Sequence, residues 1–300
     1  MPPFPPAMRC CMINYIINGL CQGSIYALIA IGYTLIFGVT GLVTFCFGEV
    51  VMFGGFAGYY IFQLMGTNVP VAALGAFLTA SLVGVFVHKL CYERFLTAPR
   101  HISLLCTIGM STLLRNAAQL MFGTATKSMP TILAGQNIHI FGVRVSMLQL
   151  LIMGIVVFLS IFLSIFLNKT KIGAMLRCVK QDRTAAALMG IDAGRITMIG
   201  NCIGSALGGV AGLLYCISYT SVYPTLGVSI GRIGFSAAVL GGMVSIPWAA
   251  AGGIIIGILE NLSIAWMPAS LRTGVAYVFL IIVLIFLPQG VNSKGRRDKL

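Results

Sequence analysis

Runs of apolar residues, each about twenty long and separated by short polar stretches, fill most of the chain. Segments able to cross about 30 Å of hydrocarbon extend over 13–37, 42–64, 69–92, 102–122, 146–167 and 197–218. Three later ones, 230–246, 249–266 and 274–287, are shorter or interrupted by glycine and proline, which makes them candidates for re-entrant instead of spanning helices. The pattern predicts an all-α integral membrane protein, a polytopic helical bundle of about 8–9 membrane segments, some broken at glycines.

The long polar interruption, residues 168–197, carries Lys169, Lys171, Arg177, Lys180, Arg183 and Arg195. Ile172, Met175, Leu176 and Val179 recur there at spacings of three and four, predicting an amphipathic helix over 172–181. Asp182 is placed to cap a second short helix over 183–189, which Gly190 closes in the left-handed conformation. A basic loop between apolar segments stays in the cytoplasm, so this loop faces inward. Lys89, Arg94 and Arg100 then share its face, as does the tail with Lys294, Arg296, Arg297 and Lys299 if all late segments cross. Turns at 66–68, 123–144, 219–229 and 268–273 fall on the opposite face, and an odd number of spans leaves the N-terminus outside. A solvated connector touching lipid headgroups is the plain alternative for the basic loop.

Composition agrees with a membrane location. The chain is 58% hydrophobic and 8% charged, with a mean hydropathy of +0.99, far from the roughly 25% charge of a soluble domain. A net charge of +13 sits in short loops and at the C-terminal end without aromatic interleaving, which points to membrane topology and away from nucleic acid. The 9 cysteines form no metal or redox spacing and read as small buried apolar residues. The proline-rich start is expected to be a disordered tail over 1–12, with Met8 or Met12 as candidate starts, ahead of a membrane domain over 13–291 and a basic cytoplasmic tail over 292–300.

Glycine pairs such as Gly54 with Gly55, Gly208 with Gly209, Gly241 with Gly242 and Gly252 with Gly253 suit close helix packing. A sharper reading makes Gly48 and Gly241 helix breaks that open backbone groups toward a substrate path, with a faint echo of duplication between 48–54 and 234–241. Of the 6 acidic residues, Glu49 and Glu260 lie inside apolar segments, where a carboxylate costs at least about 2.5 kcal/mol unless paired, neutral or wet. Each suits a transport path or a structural hydrogen bond between helices. Arg115 is read as the other charge at membrane depth and as a partner for one of them. No phosphate loop, HExxH or nucleophile beside His88, His101 or His139 is present, so no catalytic residue, metal site or bound cofactor is expected.

The stretches NGLCQGSIYALIAIGYTLIFGVTGLVTFCFGEVVMFGGF, RCVKQDRTAAALMGIDAGRI, FSAAVLGGMVSIPWAAAGGIIIGILENL and LPQGV resemble the permease subunits of branched-chain amino-acid ABC importers, the LivH type, over about 13–291. The resemblance implies a permease in the bacterial cytoplasmic membrane, paired with a second, related permease, driven by two cytoplasmic ABC ATPases that use the ATP, and fed by an extracytoplasmic substrate-binding protein. It also implies a coupling segment with an A-x-x-x-G core, matched here by Ala186 and Gly190 within Arg177, Gln181, Asp182, Ala186, Leu188 and Gly190. Taken with the glycine breaks and the buried carboxylates, the substrate path is expected to pass Thr44, Phe47, Gly48, Glu49, Gly241, Gly242 and Glu260. One departure concerns that path. The family reads close to I-N-F-A-H-G-E where this chain has Val43, Thr44, Phe45, Cys46, Phe47, Gly48 and Glu49, so two polar groups are replaced and the substrate is left open between apolar amino acids and the urea and short amides of a related branch. An ion-coupled secondary transporter using Glu49 or Glu260 and a passive channel are the competing classes.

Overall fold

The computed structural model describes residues 6–66, 68–95, 100–130, 137–140, 143–243 and 245–264, with 274, 277, 278, 281 and 285. Most of the expected last segment, the 268–273 turn and the 292–300 tail lie outside the described residues, as do 1–5. The chain forms α1 (Pro6–Thr40), α2 (Phe47–Met65) and α3 (Val69–Val87), which runs through a π turn (His88–Tyr92) into α4 (Glu93–Phe95). Then follow α5 (Arg100–Phe122), α6 (Met147–Lys169), α7 (Lys171–Gln181), α8 (Arg183–Leu188), α9 (Ala193–Tyr219), α10 (Leu226–Leu240) and α11 (Ile246–Ser263). Among the described residues, Asn14–Thr40, Val69–Tyr92, Met147–Lys169, Ala193–Tyr219 and Ile246–Ser263 are long and apolar enough to cross a membrane, and α10 is a shorter apolar helix. This is the expected all-α membrane bundle.

Helix begins at Pro6, inside the stretch read as disordered, because a proline in the first turn gives up an N–H that has no helical partner.

Burial along α3 shows which solvent the bundle is built for. Ala72, Ala76, Ala80 and Gly84 recur every fourth position and are buried, while Leu74, Leu78, Leu82 and Phe86 are exposed. Small residues inward and large apolar residues outward invert the soluble pattern, and they fit helices that pack closely in lipid. The inward stripe meets α9, where Asn201 Nδ2 donates to Gly84 O at 2.6 Å. Gly54 of α2 sits against the backbone of Gly209, and Gly23 of α1 against that of Ile254, so any side chain there would strike main chain.

The two glycine readings divide by position. Gly54, Gly208, Gly209, Gly252 and Gly253 serve packing within helices. Gly48 also packs, onto Gly227 and Gly231 in the first turn of α2, instead of breaking a helix. Gly241 does end α10, and Gly242 follows with φ 81°, so the expected break lies there.

Two short sheets were not expected. β1 (Lys127–Ser128) pairs antiparallel with β4 (Ser221–Val222), and β2 (Asn137–Ile140) with β3 (Val143–Ser146). The first joins the loop after α5 to the loop after α9, two loops that the charge pattern assigns to one face. Lys127 Nζ donates to Tyr60 Oη at 2.7 Å and ties this cap to α2.

Candidate functional site

At the opposite end of α9, the basic interruption forms the predicted pair of helices. Thr170 Oγ1 accepts from Gly173 N at 3.1 Å and starts α7. Asp182 Oδ1 accepts from Thr184 N at 2.8 Å and Ala185 N at 3.1 Å, satisfying two donors that the first turn of α8 leaves free. Gly190, at φ 78°, closes α8, with Gly190 N bonded to Ala187 O at 3.0 Å and Ile191 N to Ala186 O at 3.1 Å. Leu176 and Val179 face inward. Cys178 is exposed on α7, unlike the buried Cys21, Cys46, Cys91 and Cys216.

The coupling candidates do not all share one surface. Leu188 is 85% and Met189 82% exposed, Gly190 is open, and Gln181 and Asp182 are exposed beside them. Ala186 is buried. Its side chain faces the bundle, so the exposed surface runs instead through Ala185, Ala187, Leu188, Met189 and Gly190. Arg177 turns back to Leu167 O and to Asn168 Oδ1, at 3.2 Å from the latter, and braces the end of α6. Arg183, which sequence reasoning counted only as charge, reaches α1. Its Nη2 donates to Val39 O at 2.7 Å and Thr40 O at 3.1 Å, carbonyls at a helix C-terminus. Desolvation lowers the pKa of Arg183 from its ordinary value, and of Lys180 likewise.

Inside the bundle, Thr44, Phe47, Gly48 and Glu49 are gathered at the buried start of α2. Phe47 packs against Gly32 of α1 and Gly208 near the middle of α9, so this start lies well inside the bundle. Glu49 is 1% exposed. Its Oε1 accepts from Ser111 Oγ at 3.2 Å, while Oε2 has no hydrogen-bond partner among the described residues and lies against Gly227. Ser111 and Gly227 also line a cleft of about 510 Å³ with Tyr33, Phe45, Arg115, Arg232 and Phe235, open at the outer surface of the protomer. Glu49 thus stands one layer behind the cleft wall. Arg115 lines the same cleft, but among the described residues it forms no ion pair with Glu49, so the expected pairing is not made.

Glu260 belongs elsewhere. It is buried beside Tyr26, within electrostatic reach of Tyr215, and does not line the cleft. Gly241 and Gly242 lie at the α10 to α11 turn, where Gly241 packs on Trp248 and Ala249, also away from the cleft. Arg232 was missed, although its setting, SIGRIGF, displays a charge in an apolar run. It stands exposed near the middle of α10, and an arginine at the centre of a membrane helix costs about 2.5–3.5 kcal/mol, a signal the sequence offered for a site.

A model of the family described as branched-chain amino acid transport system, permease component, matches residues 15–287. The chain belongs to this permease family. It is 34% identical to the high-affinity branched-chain amino acid transport system permease protein LivH of Escherichia coli K12, over 96% of this chain and 97% of that one. It is equally identical to BraD of Pseudomonas aeruginosa, a permease of the same description, over 96% of this chain and 98% of the other. A probable LivH of Methanocaldococcus jannaschii is 25% identical over 92% and 91%. No solved structure matches. The chain is therefore a multi-pass membrane permease, a transport component.

Proposed function

We propose that this permease translocates branched-chain or other apolar amino acids across a bacterial cytoplasmic membrane, as one half of an ABC importer. A second, related permease closes the open side of the cleft, two separate ATPases hydrolyse the ATP, and a substrate-binding protein delivers the cargo on the far face. The loop over 168–197 lies in the cytoplasm and meets an ATPase through the tip of α8. The carrying observation is that tip: a capped, rigid helix pair presents Leu188, Met189 and Gly190 to solvent from a basic face. A simple connector would not expose two large apolar side chains at the end of a braced helix. The permease itself performs no covalent chemistry. It supplies different affinities for cargo in two conformations, which is what alternating access requires.

The test is leucine uptake into vesicles holding the chain with its partners, comparing internal ATP plus binding protein against an imposed proton or sodium gradient. Uptake that needs ATP and the binding protein supports the importer. Uptake driven by the gradient alone sinks it and turns attention to Glu49 and Glu260 as ion sites.

A further inference from the structure

Three charges define the chemistry of the cleft. Arg115 from α5 and Arg232 from α10 both line it, and Glu49 stands behind Ser111 and Gly227. Among the described residues at the cleft, two guanidinium groups stand against one carboxylate even with Glu49 ionised, Arg115 half-buried and Arg232 exposed, an excess of one positive charge that becomes costly where a neighbouring subunit shuts out water. Arg232 is held in place without being neutralised: Nε donates to Val228 O at 3.2 Å, and the guanidinium carbon stands 5.7 Å from the centre of the Tyr277 ring. Beside the arginines the wall is aromatic, with Phe45 and Phe235 ring centres 5.8 Å apart. A cleft of this composition suits a ligand with one anionic end and an apolar body, because guanidinium groups pair with carboxylates through charge-assisted hydrogen bonds that strengthen away from water.

We propose that the cleft is a carboxylate subsite, in which Arg115 and Arg232 take the carboxylate of the transported amino acid while Phe45 and Phe235 hold its side chain. The inference rests on the importer reading and adds the residues that hold the cargo's carboxylate. The cargo carries a carboxylate, so urea and short amides, which offer no anion, are disfavoured.

The experiment uses the complete complex in proteoliposomes, with uptake and ATP hydrolysis measured together. Wild type should take up leucine and not urea. Arg115→Gln and Arg232→Gln should each retain ATPase stimulation by the loaded binding protein while leucine uptake per ATP falls about 10- to 100-fold, the loss expected when a charge-assisted bond to cargo is removed. Arg232→Lys, which keeps the charge, should recover much of that. Unchanged uptake per ATP in both glutamine variants overturns the subsite and leaves the importer standing. So does wild-type uptake of urea comparable with leucine. Parallel loss of ATPase stimulation and uptake in glutamine and lysine variants alike also overturns it, since the arginines would then be structural. If wild type with ATP and binding protein imports neither compound, the importer reading itself fails, and the subsite with it.

Discussion

Replacing Arg183 with alanine tests whether the α7 and α8 pair drives the bundle or merely sits on it. In the structure one nitrogen, Nη2, serves both Val39 O at 2.7 Å and Thr40 O at 3.1 Å. A hydrogen bond from a charged donor contributes about 1.5–3 kcal/mol, and a cation at a helix C-terminus about 0.3–1 kcal/mol. Because one donor is shared and Arg183 is partly exposed, screening brings the linkage to about 2 kcal/mol, or roughly 30-fold in the equilibrium joining α8 to α1. The alanine variant should insert normally and bind the ATPases, since the exposed tip is untouched. Its leucine uptake per ATP should fall roughly 10- to 30-fold. Arg183→Lys should recover part of it, as a point charge replaces a fork of donors. Proteoliposomes assayed for nucleotide hydrolysis and uptake in one sample give the ratio, and a wild-type ratio in the alanine variant would refute the linkage.

Gly190→Asp should leave insertion intact but loosen ATPase attachment, read by co-purification of the ATPases; its left-handed φ of 78° also strains a side chain by about 1 kcal/mol, so Met189→Asp, outside that strain, must reproduce the defect. Gly54→Val places a branched side chain against the backbone of Gly209 and should destabilise the permease by about 1–3 kcal/mol or more, seen as a lower Tm in detergent; an unchanged Tm would mean that α2 and α9 are not so closely packed. Glu49→Gln retains the bond from Ser111 and should keep at least a third of leucine uptake if the group is structural; abolished uptake would make its charge part of the transport cycle.

The fold class and the helix pair were legible because each rests on local rules. Apolar length and basic loops predict spans and sidedness, and Asp182 and Gly190 carry cap signals that operate within a few residues. The described residues follow the apolar pattern into a helical bundle and the cap signals down to the capping bonds of Asp182. What escaped depends on contacts between distant elements. That Ala186 turns inward while Met189 turns outward is set by the docking of α8 on the bundle, which a six-residue helix does not encode by periodicity. The partner of Arg183 lies 144 and 143 positions away at the end of α1, and no spacing reveals such a bond. Arg232 differs in kind. Its isolation among apolar residues was visible, and what obscured it was an expected segment that started late, at 230, whereas α10 begins at Leu226 and places Arg232 well inside the helix.

The arrangement gives a physical route between the two sites. Arg183 holds α1 at Val39 and Thr40, and Tyr33, six residues earlier on the same helix and so about 9 Å along its axis, lines the cleft. Tyr33 packs edge-on against Phe47, ring centres 4.5 Å apart, and against Phe235 at 6.2 Å. It therefore touches the start of α2, which carries Glu49, and the helix that carries Arg232. An α-helix is stiff over two turns, so a displacement of α8 transmitted by Arg183 would reach Tyr33 and require both aromatic contacts to repack. Glycines at Gly48, Gly227 and Gly231 let α2 and α10 meet backbone to backbone beside this ring. The bulky contacts of Tyr33 beside this seam have discrete arrangements. On the importer reading proposed above, switching between such arrangements would change how Ser111 and Gly227 screen Glu49 and how the cleft presents its arginines. On that reading, alternating affinity would need no deformation of α1, only its movement as a rod pulled from the end that Arg183 holds.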